Sequence, residues 1–170
     1  RSMFWNFGYR KMTSLDLSGL DTTNVTNMRE MFANCGYNEM TSLDISDLNT
    51  TNVTDMSWMF ANTGYNKMAT LNISNFDTTN VTDMSYMFMG TGYTALTDLT
   101  VGNSFYTENV TDMSYMFKLC GYTAMPSLNL GSNFNTANVT NMESMFYGKG
   151  YTKMTRLDIS IYNFNKTNIT

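Results

Sequence analysis

The chain has no histidine, a single proline (Pro126), and only 10 Lys and Arg beside 14 Asp and Glu in 170 residues. Without histidine the commonest acid–base residue and metal ligand is missing. No stretch pairs a nucleophile with its base, so neither an enzyme nor a cofactor is expected. The few cations are scattered and the net charge is −4; the basic stripe that nucleic acid requires is absent. No apolar run approaches the roughly 18 residues of a transmembrane helix, so no membrane insertion by this segment is expected.

What the chain has instead is a period. Gly-Tyr falls at 8/9, 36/37, 64/65, 92/93, 121/122 and 150/151, and Met-Phe keeps the same 28- and 29-residue spacings from 3/4 to 145/146. A fixed period in the twenties is the mark of stacked repeats, none of which can bury its apolar face alone. The whole of 1–170 reads as one array of 28–30-residue repeats. No atypical polar cap is visible at either end, and the chain is expected to be a segment of a longer array.

Each unit opens on the spacing L-x-x-L-x-L: Met12/Leu15/Leu17, then Met40/Leu43/Ile45, and so on to Met154/Leu157/Ile159. Strand side chains alternate, so these residues predict six parallel strands with one polar face. A turn follows, lengthened in later units by 102–104, 131–133 and 160–163. Val25, Met28 and Phe32 recur at i, i+3, i+7, which predicts a helical stripe, with Gly36 as its C-terminal stop. The expected fold is therefore an α/β repeat: a leucine-rich-repeat solenoid with a parallel sheet on one face and five short helices opposite. Cys35 and Cys120 hold the same slot three repeats apart. With strands about 4.8 Å apart they are roughly 14 Å distant, beyond the about 7 Å a disulfide spans, and are expected to be free.

Repeats allow columns to be compared within one chain. The tyrosine column, Tyr9, Tyr37, Tyr65, Tyr93, Tyr122 and Tyr151, never varies; it is either an exposed glycan-binding ladder or an internal stack, and the stack is favoured. Asn24, Asn52, Asn80, Asn109, Asn138 and Asn168 each open an Asn-Val-Thr or Asn-Ile-Thr triplet. These are formal glycosylation sequons, but an asparagine ladder satisfying turn backbone groups is favoured, because glycans on every repeat would crowd. In the outward strand column only Asp16 and Asp44 are adjacent acids, which favours a solvated face over a calcium row. The seventeen methionines read as core filler. The most variable column is Ser2, Glu30, Trp58, Tyr86, Tyr115, Ser144. A position that takes Glu and Trp alike is not core, and loss of its ring should be tolerated. Trp58, Tyr86 and Tyr115 are thus the candidate partner-binding row.

The unit L-[DN]-[LI]-S-x-[LF]-[DN]-T-x-N-V-T-[DN]-M-x-x-M-F, found from Leu43 to Phe60 and its equivalents, resembles the repeat of BspA-like leucine-rich-repeat surface proteins. Similar repeats occur in surface lipoproteins of mycoplasmas and low-GC Gram-positive bacteria. This chain carries an additional G-Y-x-x-M before each strand. The resemblance implies a non-enzymatic, extracellular protein of the cell surface that mediates adhesion or binds protein or glycan. The alternative is a structural spacer, fibre, or virion or cell-envelope component, with self-assembly in place of a ligand.

Overall fold

The computed structural model describes residues 1–148, 152–155 and 157. Within them the period becomes a stack of rungs, each in register on the next. The apolar alternation forms four short strands: β1 (Ser14–Asp16), β2 (Ser42–Asp44), β3 (Thr70–Ile73) and β4 (Asp98–Val101). β1 pairs parallel with β2, placing Leu15 against Leu43, and β3 pairs parallel with β4, placing Leu71 against Leu99. These two small sheets stand where one six-stranded sheet was expected. On the fifth rung Pro126 takes the place of Thr41 and Thr97, whose N–H groups donate to Thr13 and Ala69 carbonyls one rung back. Proline has no N–H to give, and β4 has no strand partner beyond it among the described residues. The sixth expected strand, around Ile159, lies outside the described residues.

The expected leucine-rich-repeat solenoid with helices is overturned: no helix occurs among the described residues. The segment from Met28 to Gly36 is a ladder of tight turns. Met31, Ala33 and Cys35 donate their N–H groups three residues back, to Met28, Glu30 and Phe32. The alternate residues Met28, Glu30, Phe32 and Asn34 donate to the next rung, at Asp55, Ser57, Met59 and Ala61, over 2.8–3.0 Å. Three amides of the segment therefore close turns and four bind the next rung, while Gly36 donates back to Phe7 on the preceding rung and Arg29 to the Asn27 side chain. Glu30, Asn34 and Gly36 have φ of 58°, 56° and 54°, left-handed values that no right-handed helix contains.

Rung spacing explains why. The phenylalanines of this segment stack at 5.4–5.7 Å, from Phe4–Phe32 through Phe117–Phe146. The tyrosines that follow stack at 4.5–4.9 Å. Neighbouring helices need about 8–10 Å between axes, so rungs this close on that side leave no room for one helix per repeat. The i, i+3, i+7 stripe points inward all the same: Met28, Phe32, Val53, Met56 and Phe60 are fully buried, while Val25 is half-buried.

Polar columns tie the remainder of each rung to its neighbour. The buried hydroxyls of Thr22, Thr50 and Thr107 donate to the carbonyls of Asn49, Asp77 and Asn135 on the next rung. Parallel bridges run through Asn27, Asp55, Asp83, Asp112 and Asn141. The acids of that row each accept a backbone N–H two residues on, and Asn27 and Asn141 donate their amides to the outermost ones.

Candidate functional site

The first turn of each ladder has its left-handed residue in third position, and this is the variable column. Ser2, Glu30, Trp58, Tyr86, Tyr115 and Ser144 all have φ between 51° and 60°. A side chain there leaves the turn away from the buried methionines, which is why the column accepts Glu, Ser and three large rings. Because rungs repeat in register, equivalent rings come face to face. Trp58 stacks on Tyr86 at 4.0 Å and 9°, and Tyr86 on Tyr115 at 4.6 Å and 10°. All three are half-buried. The row is one continuous three-ring stack, so removing a ring breaks a stacking pair as well as a contact surface.

The two ends of the stack differ. At one end Tyr115 donates its hydroxyl to the Glu143 carboxylate, and Lys118 Nζ lies 4.9 Å from the Tyr115 ring centre and 5.1 Å from that of Tyr147. The bond to Glu143, followed by partial desolvation, raises the Tyr115 pKa above the ordinary phenol value. At the other end, the rung before Trp58 carries Glu30 in place of a ring. Trp58 there borders a cleft of about 290 Å³ whose far wall is Trp5. Sequence reasoning missed this cleft. It forms because the neighbouring column has Ala33 and Ala61 where later rungs have Met89, Lys118 and Tyr147, a size change that only side-by-side columns reveal.

The other singled-out columns are placed as follows. Tyr37, Tyr65, Tyr93 and Tyr122 form a second stack, half-buried throughout and begun by Tyr9. Burial first, then the neighbouring Tyr37 and Tyr93, pushes Tyr65 up to about 12. Asn52, Asn80, Asn109 and Asn138 donate their side-chain amides to the carbonyls of Thr23, Thr51, Thr79 and Glu108 on the preceding rung, over 2.7–2.8 Å. Asn24 is exposed; Tyr151 and Asn168 lie outside the described residues, as do the extra turn residues 160–163. Asp16 and Asp44 are occupied locally, by Ser18 and Ser46; the Ser46 hydroxyl and N–H hold Asp44 below the usual carboxylate range. No three His, Cys, Asp or Glu among the described residues are grouped to hold a metal ion.

A family model described as "Mycoplasma protein of unknown function, DUF285" matches residues 1–120 and, in a second match, 94–170. The chain belongs to the DUF285 family. The two matches overlap over 94–120 and together span the chain. No curated protein and no solved structure matches it. Two aromatic stacks run along it, and only one, at Trp58, Tyr86 and Tyr115, occupies a column free to change from rung to rung.

Proposed function

We propose that this DUF285 chain is a non-enzymatic binding module, displayed outside the cell, that engages a protein or glycan through Trp58, Tyr86 and Tyr115. The observation that carries this reading is the three-ring stack set on left-handed turn positions, with Glu30 and Ser144 in the same column of other rungs. A pre-stacked row loses little side-chain freedom on binding, and aromatic rings are the usual anchors of interfaces. The BspA-like character of the repeat, with the surface display it implies, belongs to the same proposal. The test is binding of the labelled chain to an array of purified glycans and matrix proteins. Trp58→Ala with Tyr115→Ala should weaken retention by more than about 2 kcal/mol, roughly thirtyfold. Retention unchanged by both truncations would refute the row as the binding surface.

The second reading is a structural spacer or self-assembling envelope component. It is favoured by the unbroken ladder of inter-rung hydrogen bonds from Ser2 to Tyr147. Concentration-dependent assembly in sedimentation, with no array feature retained, would favour it over the first.

A further inference from the structure

The stack that begins at Tyr115 ends at Trp58, whose only ring partner among the described residues is Tyr86. The cleft beyond it is walled by Trp58 and Trp5 and floored by the buried methyl groups of Ala33 and Ala61. Its polar groups come from the rung of Glu30 and the rung of Trp58. Glu30 accepts the Ser2 hydroxyl at 2.9 Å and lies 3.3 Å from Arg29 Nε. Arg29 donates Nη1 to the Ser57 hydroxyl at 2.9 Å, while its buried Nε makes no hydrogen bond. Asn62 donates its amide to Asn34 Oδ1 at 3.1 Å. Asn62 Oδ1 lies on the other side, against Gly90 of the following rung, 2.2 Å from where a Cβ there would stand.

We propose that this cleft binds a neutral pyranose, the Trp58 face packing on the sugar's C–H face and Asn34, Asn62, Glu30 and Arg29 meeting its hydroxyls. The inference rests on the reading of the aromatic row as a binding surface and names the ligand class for its open end. Three observations select a neutral sugar. The volume, about 290 Å³, is at the lower limit of small-molecule sites, which run from about 300 Å³, and suits one ring with an exit for a chain. The carboxylate and guanidinium face each other, so neither a quaternary ammonium nor a phosphate finds an uncompensated opposite charge. An aromatic wall combined with mixed donors and acceptors matches a ligand with one apolar face and a hydroxyl rim, whereas a nucleobase would leave much of that polar lining unmet.

The chain's only two tryptophans are the two walls of the cleft, so intrinsic tryptophan emission reads this site alone. The experiment titrates the intact chain with methyl glucopyranoside, methyl galactopyranoside, N-acetylglucosamine and N-acetylgalactosamine, with choline and adenosine as competing chemistries. A saturable change with at least one sugar, at a dissociation constant of about 1–10 mM for so small a ligand, supports the proposal. Ala61→Met installs the residue that Met89 already provides one rung on, filling the floor without a foreign side chain. It should weaken the sugar about tenfold or more, an increment of about 1.4 kcal/mol. Trp58→Ala, which removes the packing face, should weaken it by a similar factor, read from the remaining Trp5 emission. Should the filled variant not fold, Glu30→Gln serves instead, with severalfold weaker binding expected. No response to any sugar, a response to choline or adenosine in place of sugar, or sugar binding indifferent to the floor and Glu30 variants would overturn it. A protein partner on the array that is lost with Trp58→Ala and Tyr115→Ala, alongside no sugar response, would remove this inference and leave the binding row standing.

Discussion

A Cβ added at Gly64 would lie 2.4 Å from the Cβ of Met68, at a residue whose φ is 53°. At Gly19, with φ 83°, an added Cβ would meet nothing within 4 Å. The left-handed conformation alone costs a non-glycine residue about 1–2 kcal/mol, and forcing atoms into a packed core adds about 1–3 kcal/mol. Gly19→Ala should therefore destabilise by about 1 kcal/mol and Gly64→Ala by about 3 kcal/mol or more, read from urea midpoints. The thiols give a pH signature at the same scale. Burial pushes Cys35 and Cys120 up to about 12, from an unfolded value of about 8.5. A pKa raised in the folded state means stability fully present below the unfolded value and lost as pH rises toward the folded one. The melting temperature should hold to about pH 8.5 and fall as pH climbs toward 12, with Tyr65 joining above about pH 10. Other rungs carry Thr63 and Thr91 in the cysteine slot, donating to Phe32 and Phe60 carbonyls at 2.7 Å. Cys35→Thr with Cys120→Thr should keep neutral-pH stability within about 1 kcal/mol and delay the alkaline decline in thermal melts.

The turn ladder is where sequence and structure part. Apolar alternation at Leu15, Leu43, Leu71 and Leu99 was legible, because a period of two has few other uses, and strands form there. The i, i+3, i+7 stripe was legible as an inward face but not as a turn ladder, since both conformations bring Met28 and Phe32 to one side. The discriminating signal was present in Asn34-Cys35-Gly36, Asn62-Thr63-Gly64 and Gly90-Thr91-Gly92, pairs of residues that favour left-handed backbone two positions apart. Nothing in the chemistry of Glu30, Trp58 or Tyr86 announces a positive φ; only stacking against the next rung imposes it. For the same reason the candidate row could be found by its variability, whereas its ring stack and the Ala33–Ala61 cleft needed neighbouring columns side by side. Loss of a ring from the row should also lower stability, contrary to the tolerance expected from the column's variability, because each stacked pair adds about 0.5–1.5 kcal/mol. Leu119 has φ 58° in the column that elsewhere holds Asn6, Asn34, Asn62 and Gly90. Leu119→Asn should raise the urea-derived stability by about 0.5–1 kcal/mol; a loss of that size would argue against a left-handed turn there.

At the scale of the whole molecule, stability is a sum of rungs and of contacts between adjacent rungs. Removing residues 46–73 joins Ile45 to Ser74, the junction that Ile73 makes naturally, and preserves the phase of every column. That variant should fold cooperatively with a lower melting temperature, while removing 46–59 alone should abolish the cooperative transition, both followed by circular dichroism. The central claim is that alternate amides of the Met28–Gly36 segment bind the next rung and not their own. Scalar coupling across hydrogen bonds in NMR reads this directly at Phe32. The structure predicts coupling from the Phe32 amide nitrogen to the carbonyl of Met59, its acceptor at 2.9 Å. Coupling to the Met28 carbonyl, four residues back as in an α-helix, would contradict it.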